Sequence, residues 1–216
     1  PDRDLVRQLL QMRDAIDVVI PRGGPGLIEF VIETATVPVI ETGWGVCHTY
    51  VDAAADLDQA AAIVYNAKVR RPSICNALDT VLVHSELAPK LLPRMGKELG
   101  KAGVELHCDH RALSLLGPGH GLNAIPATED DWGREFLSLT AAVKVVDSLD
   151  EALEHIENYG SGHSEAIVTE DYSAAMRFLD EVDSGVVMVN ASTRFNDGAQ
   201  FGLGAEVGIS TNKMHA

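Results

Sequence analysis

Apolar positions along the chain alternate between a helical rhythm and short continuous runs, which predicts an α/β protein. Residues 4–14 place Leu5, Val6, Leu9, Leu10 and Met12 at near-helical spacing and predict an amphipathic helix. Residues 17–21 predict a buried strand, stopped by Pro21 and the glycines that follow. A tight turn at 22–26 leads into a helix over 27–33 and a second strand at 36–40. A long helix is predicted over 56–69, opened by Asp56 and Asp58 near its positive end. Strand 80–83, helix 86–101 and strand 104–107 continue the alternation, and residues 116–128 predict a loop or short strand. Strand 143–146, helix 149–159 behind an Asp147/Ser148 cap, strand 166–169, helix 172–182 and strand 185–190 complete it. Residues 191–198 predict a loop.

Composition narrows the class. With 46% hydrophobic and 23% charged residues, the 216-residue chain reads as an ordinary globular protein able to bury a core. A formal charge of −15 argues against nucleic acid or an anionic membrane surface as partner. An anionic substrate would need a local basic pocket, for which Lys68, Arg70, Arg71 and Arg194 are the candidates. No apolar run approaches the roughly 20 residues of a membrane span, and no signal peptide is visible. The three widely spaced cysteines do not make a disulfide framework, and the expected setting is cytoplasmic.

One short stretch carries the strongest candidate chemistry. Cys75 follows Arg70, Arg71 and Pro72, between the helix at 56–69 and the strand at 80–83. Pro72 disfavours helix at Arg71, so the backbone is expected to turn there. Nearby N–H groups and two guanidinium charges favour thiolate over thiol. A thiolate attacks acyl carbons, and the same N–H groups can hold the resulting oxyanion. The competing reading is a small buried hydrophobe with no chemistry.

Other motifs admit two readings each. The Arg22–Gly23–Gly24–Pro25–Gly26 turn, between strand and helix, lets backbone N–H groups approach a phosphate, or is a plain tight turn. His107–Cys108–Asp109–His110 offers possible metal ligands, but a strand end running into an Asp109 helix cap is the plainer account, and no metal site is assigned. Arg194 can grip a carboxylate or phosphate with two bonds, or pair at the surface with Asp197 or Glu206.

Four separated motifs raise the specificity of the reading. They are residues 71–76 (RPSICN), 20–27 (IPRGGPGL), 43–48 (GWGVCH), and 189–195 (VNASTRF) with 200–206 (QFGLGAE) after it. In order and over essentially the whole chain they resemble the γ-glutamyl phosphate reductase family of the aldehyde dehydrogenase superfamily. The resemblance implies part of a dinucleotide-binding domain at residues 1–44, a catalytic α/β domain at 45–195, and a segment at 196–216 returning toward the active site. It implies NADPH-dependent reduction of γ-glutamyl phosphate to glutamate 5-semialdehyde through a thioacyl enzyme on Cys75, in proline biosynthesis. Arg71, Asn76, Ser192, Thr193 and Arg194 then fall at substrate-binding positions. Arg22, Gly23, Gly24, Gly43, Glu135 and Phe136 fall at cofactor positions, the last two matching a Glu-x-Phe segment without its middle residue.

The family enzyme is about twice this length, so the resemblance also implies a C-terminal half to two-thirds that is inactive alone. The oxyanion asparagine of the superfamily lies upstream of it. A homo-oligomer is a further implied property. Two other functions stand beside this one: a non-catalytic binding or assembly module with an inert Cys75, and a cysteine hydrolase using Cys75 with one of the histidines.

Overall fold

The computed structural model describes residues 3–41, 43–117 and 122–211. They divide into two compact units, one of residues 3–44 and 206–211, the other Gly45–Ala205. The larger unit thus runs past residue 195, and the chain after it is shared between the two.

The smaller unit holds α1 (Arg3–Leu9) and α2 (Pro25–Thr34). The first is shorter than the apolar spacing predicts. The Leu10 carbonyl accepts from the N–H of Thr36 at 3.0 Å, so it is diverted from the helical ladder. The strand expected at 17–21 is reduced to one parallel bridge between Val19 and Val39, with Val18 and Ile20 each 42% exposed. A buried strand is therefore not what this apolar run forms here.

The larger unit is built on one fully parallel sheet of seven strands. Its elements run β1 (His48–Val51), α3 (Leu57–Val69), β2 (Thr80–His84), α4 (Ala88–Lys101), β3 (Glu105–Cys108), α5 (His110–Leu116) and β4 (Asn123–Pro126). They continue with β5 (Thr140–Val146), α6 (Leu149–Tyr159), β6 (Ser164–Val168), α7 (Tyr172–Glu181) and β7 (Val186–Val189). The spatial order is β4-β3-β5-β2-β1-β6-β7. Strands that feed crossover helices must be covered on both faces, which explains their near-continuous apolar runs. Val81 and Val83 of β2 pack in the core under α3, α4 and α5, while Leu82 between them packs with Tyr50, Ile167 and Phe178 under α6 and α7.

Caps set the helix starts. Asp56 accepts from the N–H groups of Asp58 and Gln59, Asp109 from Ala112, Ser148 from Glu151, and Asp171 from Ser173 and Ala174. Each such cap is worth about 1 kcal/mol. β4 is an edge strand that pairs through residues 123–126 and closes on Pro126, as an edge tolerates. Part of the loop expected at 116–128 lies outside the described residues. No helix among them is long and apolar enough to cross a membrane.

Candidate active site

The site begins where α3 ends. Pro72 follows the last helical residues, and the chain turns with the N–H of Ala77 donating to the carbonyl of Ile74 at 2.9 Å. That β-turn sets Cys75 and Asn76 at its corner, with Cys75 partly exposed and Asn76 buried. The turn does not open a helix. It is pinned from below: Leu78 N–H donates to the Ala67 carbonyl at 3.0 Å, and Asp79 and Thr80 both donate to the Cys47 carbonyl. Gly45 passes against the Cys75 carbonyl so closely that any Cβ there would overlap it. The turn lies just ahead of β2, at the amino ends of β1 and β2, not at the carboxyl ends where open α/β sheets usually hold ligands.

The second wall is the loop after β7. Its 3₁₀ turn at Thr193–Phe195 is capped by Ser192, whose Oγ accepts from the N–H of Arg194. Thr193 Oγ1 donates to the Asn76 carbonyl at 2.8 Å, and Asn76 Nδ2 donates to the Asn196 carbonyl at 2.7 Å. Asn76 Oδ1 accepts from the Arg194 guanidinium. Asn196 Nδ2 then donates to Ser164 Oγ at the start of β6, at 2.6 Å. The loop is thereby tied to the Cys75 turn through side chains that are almost fully buried.

Arg194 is therefore not a surface arginine. It is 8% exposed, and its Nε is buried without a hydrogen-bond partner among the described residues. Burial and the neighbouring Arg70 and Arg71 lower its pKa, against the pull of Asp197 and Cys75, yet a guanidinium stays charged. Arg70, Arg71, Arg194, Asp197 and Gln200 line a cavity of about 300 Å³.

The positions expected to bind substrate thus separate. Arg71 and Arg194 line the cavity. Ser192, Thr193 and Asn76 are committed to hydrogen bonds within the chain and hold the wall in place. Lys68, a candidate for the basic pocket, is instead fully buried. Its Nζ donates to the Leu78 carbonyl at 2.8 Å and lies 3.9 Å from Asp79 Oδ1. Burial pushes Asp79 up to about 6, with Lys68 and the N–H groups of Phe136 and Cys47 opposing, and pulls Lys68 down to about 8. This pair was not expected from the sequence. The available signal was a lysine four residues after Val64 on the buried face of α3.

The expected cofactor residues fall in both units. In the smaller one, Gly24 is the N-cap of α2 with no side-chain cap, and the first turn carries no acidic residue. Space above Gly24 and Gly26 is open, and Arg22 is exposed. An uncapped, acid-free helix start of this kind suits a phosphate. Gly43 packs beside Thr211 in the same unit. In the larger unit, Glu135 accepts from the N–H of Gly45 at 3.0 Å and is not helical. The Phe136 ring sits among Lys68, Arg134 and His107, and its N–H donates to Asp79.

The buried histidines serve other residues. His48 pairs with Glu165 at 3.1 Å, and His163 Nδ1 lies 3.8 Å from Cys47 Sγ. Burial holds His163 down near 4. His107 sits between Glu105 and Asp131, while Asp109 caps α5.

Known proteins are similar to this chain over its whole length. A γ-glutamyl phosphate reductase of Dehalococcoides mccartyi is 60% identical over all of this chain, which covers 51% of that protein. The crystal structure of γ-glutamyl phosphate reductase from Thermotoga maritima superposes with a TM-score of 0.94 at 51% identity, over all of this chain and 51% of that one. Over its whole length the chain is thus similar to about half of a γ-glutamyl phosphate reductase. The model of the aldehyde dehydrogenase family matches residues 136–208. A propionaldehyde dehydrogenase structure from Clostridium phytofermentans shares the fold alone, with a TM-score of 0.69 at 20% identity over 97% of this chain and 54% of its own. The chain spans about half the length of the curated relatives it matches.

Proposed function

We propose that this chain carries the acyl-transfer centre of an NADPH-dependent reductase that converts L-glutamyl 5-phosphate to L-glutamate 5-semialdehyde and phosphate. The observation that carries the reading is a partly exposed Cys75 at a turn corner whose partner loop presents Arg194 to a cavity with two further arginines.

Cys75 Sγ, as thiolate, attacks the acyl carbon, and the carbon–oxygen bond to phosphate breaks with its electron pair leaving on phosphate. A thioester on Cys75 results. Backbone N–H groups at Cys75 and Asn76 hold the oxyanion of each tetrahedral stage. The reduced nicotinamide cofactor, when bound, supplies the hydride. The carbonyl of the product re-forms as the C–S bond breaks and its pair returns to Cys75. Arg70, Arg71 and Arg194 counter the charge of the substrate and of departing phosphate.

In the smaller unit, which we assign to the dinucleotide domain, Arg22, Gly23 and Gly24 would hold a cofactor phosphate. The open, uncapped start of α2 supports that assignment. The reading carries with it a small-molecule substrate and a cytoplasmic setting.

The test is phosphate-dependent reduction of NADP with glutamate 5-semialdehyde by a full-length protein carrying this sequence. Cys75→Ser should abolish it. Release of free glutamate from L-glutamyl 5-phosphate with no cofactor consumed would mark a hydrolase, and inert, slowly alkylated Cys75 a binding module.

A further inference from the structure

The arginine cavity contains one carboxylate that the reductase reading leaves without work. Asp197 lines the wall beside Arg70, Arg71 and Arg194, with the Gln200 amide as the remaining polar group. Its Oδ1 accepts from the N–H of Ala199 at 2.9 Å and of Gln200 at 3.4 Å, so the side chain is held in place by its own loop. Among the described residues it forms no salt bridge with the three arginines, although its charge is felt at Arg194. A carboxylate that only neutralised guanidinium would be expected to close on it, because a bidentate pair is the favoured geometry. The buried, unpartnered Nε of Arg194 is a second sign that the wall is arranged for a ligand.

Charge decides which ligand. Three guanidiniums and one carboxylate give the cavity wall a formal charge of +2 (3 − 1). A simple dianion would gain from the arginines and be repelled by Asp197. An amino acid acyl phosphate matches group for group. Its carboxylate and phosphate answer the arginines, and its α-ammonium answers the carboxylate.

We propose that Asp197 receives the α-ammonium of the substrate and makes this site selective for an α-amino acid over the same acid lacking the amine. This deepens the reductase reading and rests on it. Gln200 and the arginines take the carboxylate end, and Cys75 takes the acyl carbon. The analogue without the amine forfeits a charge-assisted hydrogen bond to Asp197, which is the source of the discrimination.

The experiment compares glutamate 5-semialdehyde with 5-oxopentanoate, which lacks only the α-amino group, in phosphate-dependent NADP reduction by a full-length protein carrying this chain. The ratio of kcat/KM for the two aldehydes is expected to exceed about tenfold in favour of the amino substrate. Asp197→Asn keeps the Oδ1 acceptor for Ala199 and Gln200 and should lower that ratio at least tenfold, chiefly through KM. Asp197→Glu, which keeps the charge, should restore part of it.

Equal loss on both aldehydes in Asp197→Asn, with the ratio unchanged, would assign Asp197 to the loop alone and overturn the proposal. So would a wild type that does not discriminate. A wild type that oxidises neither aldehyde overturns the reductase reading itself, a distinct result.

Discussion

The backbone of Gly45 runs against the Cys75 carbonyl so closely that a Cβ at position 45 would overlap both the oxygen and the carbonyl carbon. Neither group can rotate away, since the Cys75 carbonyl also accepts from Cys47 Sγ at 3.2 Å and Gly45 N–H donates to Glu135. Gly45→Ala should therefore displace the turn that carries Cys75, the proposed nucleophile. We expect kcat to fall by roughly a hundredfold, the scale set by a misplacement of about 1 Å, with KM changing less. Steady-state kinetics check this, and a kcat within twofold of wild type would show that the turn tolerates the shift.

Cys75 should be the thiol that reacts. Cys47 is fully buried, and burial together with Glu165 and Asp79 raises its pKa well above the thiol range. Burial likewise pushes Cys108 up to about 12. Only Cys75 is partly exposed. Limiting iodoacetamide near neutral pH, read by mass spectrometry, should label Cys75 at least tenfold faster than either of the others. Equal labelling of all three under native conditions would count against a nucleophilic role.

On the proposed function Arg194 both binds substrate and holds Asn76, and one substitution separates these only in part. Arg194→Ala should lower kcat/KM by roughly ten- to a hundredfold through loss of charged hydrogen bonds to substrate. It also removes a donor from Asn76 Oδ1, so a stability loss of about 1–2 kcal/mol is expected. Arg194→Lys should recover only part of the activity, since an ammonium lacks the planar fork. Kinetics with a parallel urea titration resolve the two effects, and unchanged kcat/KM in Arg194→Ala would move the anion site to Arg70 and Arg71.

The Lys68–Asp79 pair predicts a pH signature. Asp79 has a folded pKa near 6, above its ordinary 3.8, because burial disfavours the carboxylate. Its contribution is thus fully present below 3.8 and is lost as pH rises through 6. Lys68, lowered from 10.5 to about 8, contributes above 10.5 and loses that contribution as pH falls through 8. Between these values both groups are charged in the folded protein and depend on each other. Lys68→Met should cost about 3 kcal/mol at pH 7, the lower end for breaking a buried pair, and clearly less at pH 5, where Asp79 can be neutral. Urea unfolding at the two pH values measures it. A loss that is equal at both would place the pair outside the stability balance.

The larger unit was legible in the chain because its pattern is local. Parallel strands covered on both faces leave continuous apolar runs, and Asp56, Asp109 and Ser148 mark helix starts with their own side chains. RPSICN likewise announced a turn, since Pro72 alone forbids the helix to continue comfortably. The segment at 17–21 shows the limit of such reading: its apolar run fits a strand, yet it makes only one bridge, because a strand needs a neighbour to pair with along its length. Only the tertiary structure decided that Lys68 turns inward to Asp79, that Asn76 holds Arg194, and that Asp197 shares a cavity with three arginines. The contact between Asn76 and Arg194 joins residues 118 positions apart. Hydropathy and spacing report which face a residue takes on its own element, whereas the partner it meets depends on how the segments after α3 and β7 come together near the amino ends of the strands.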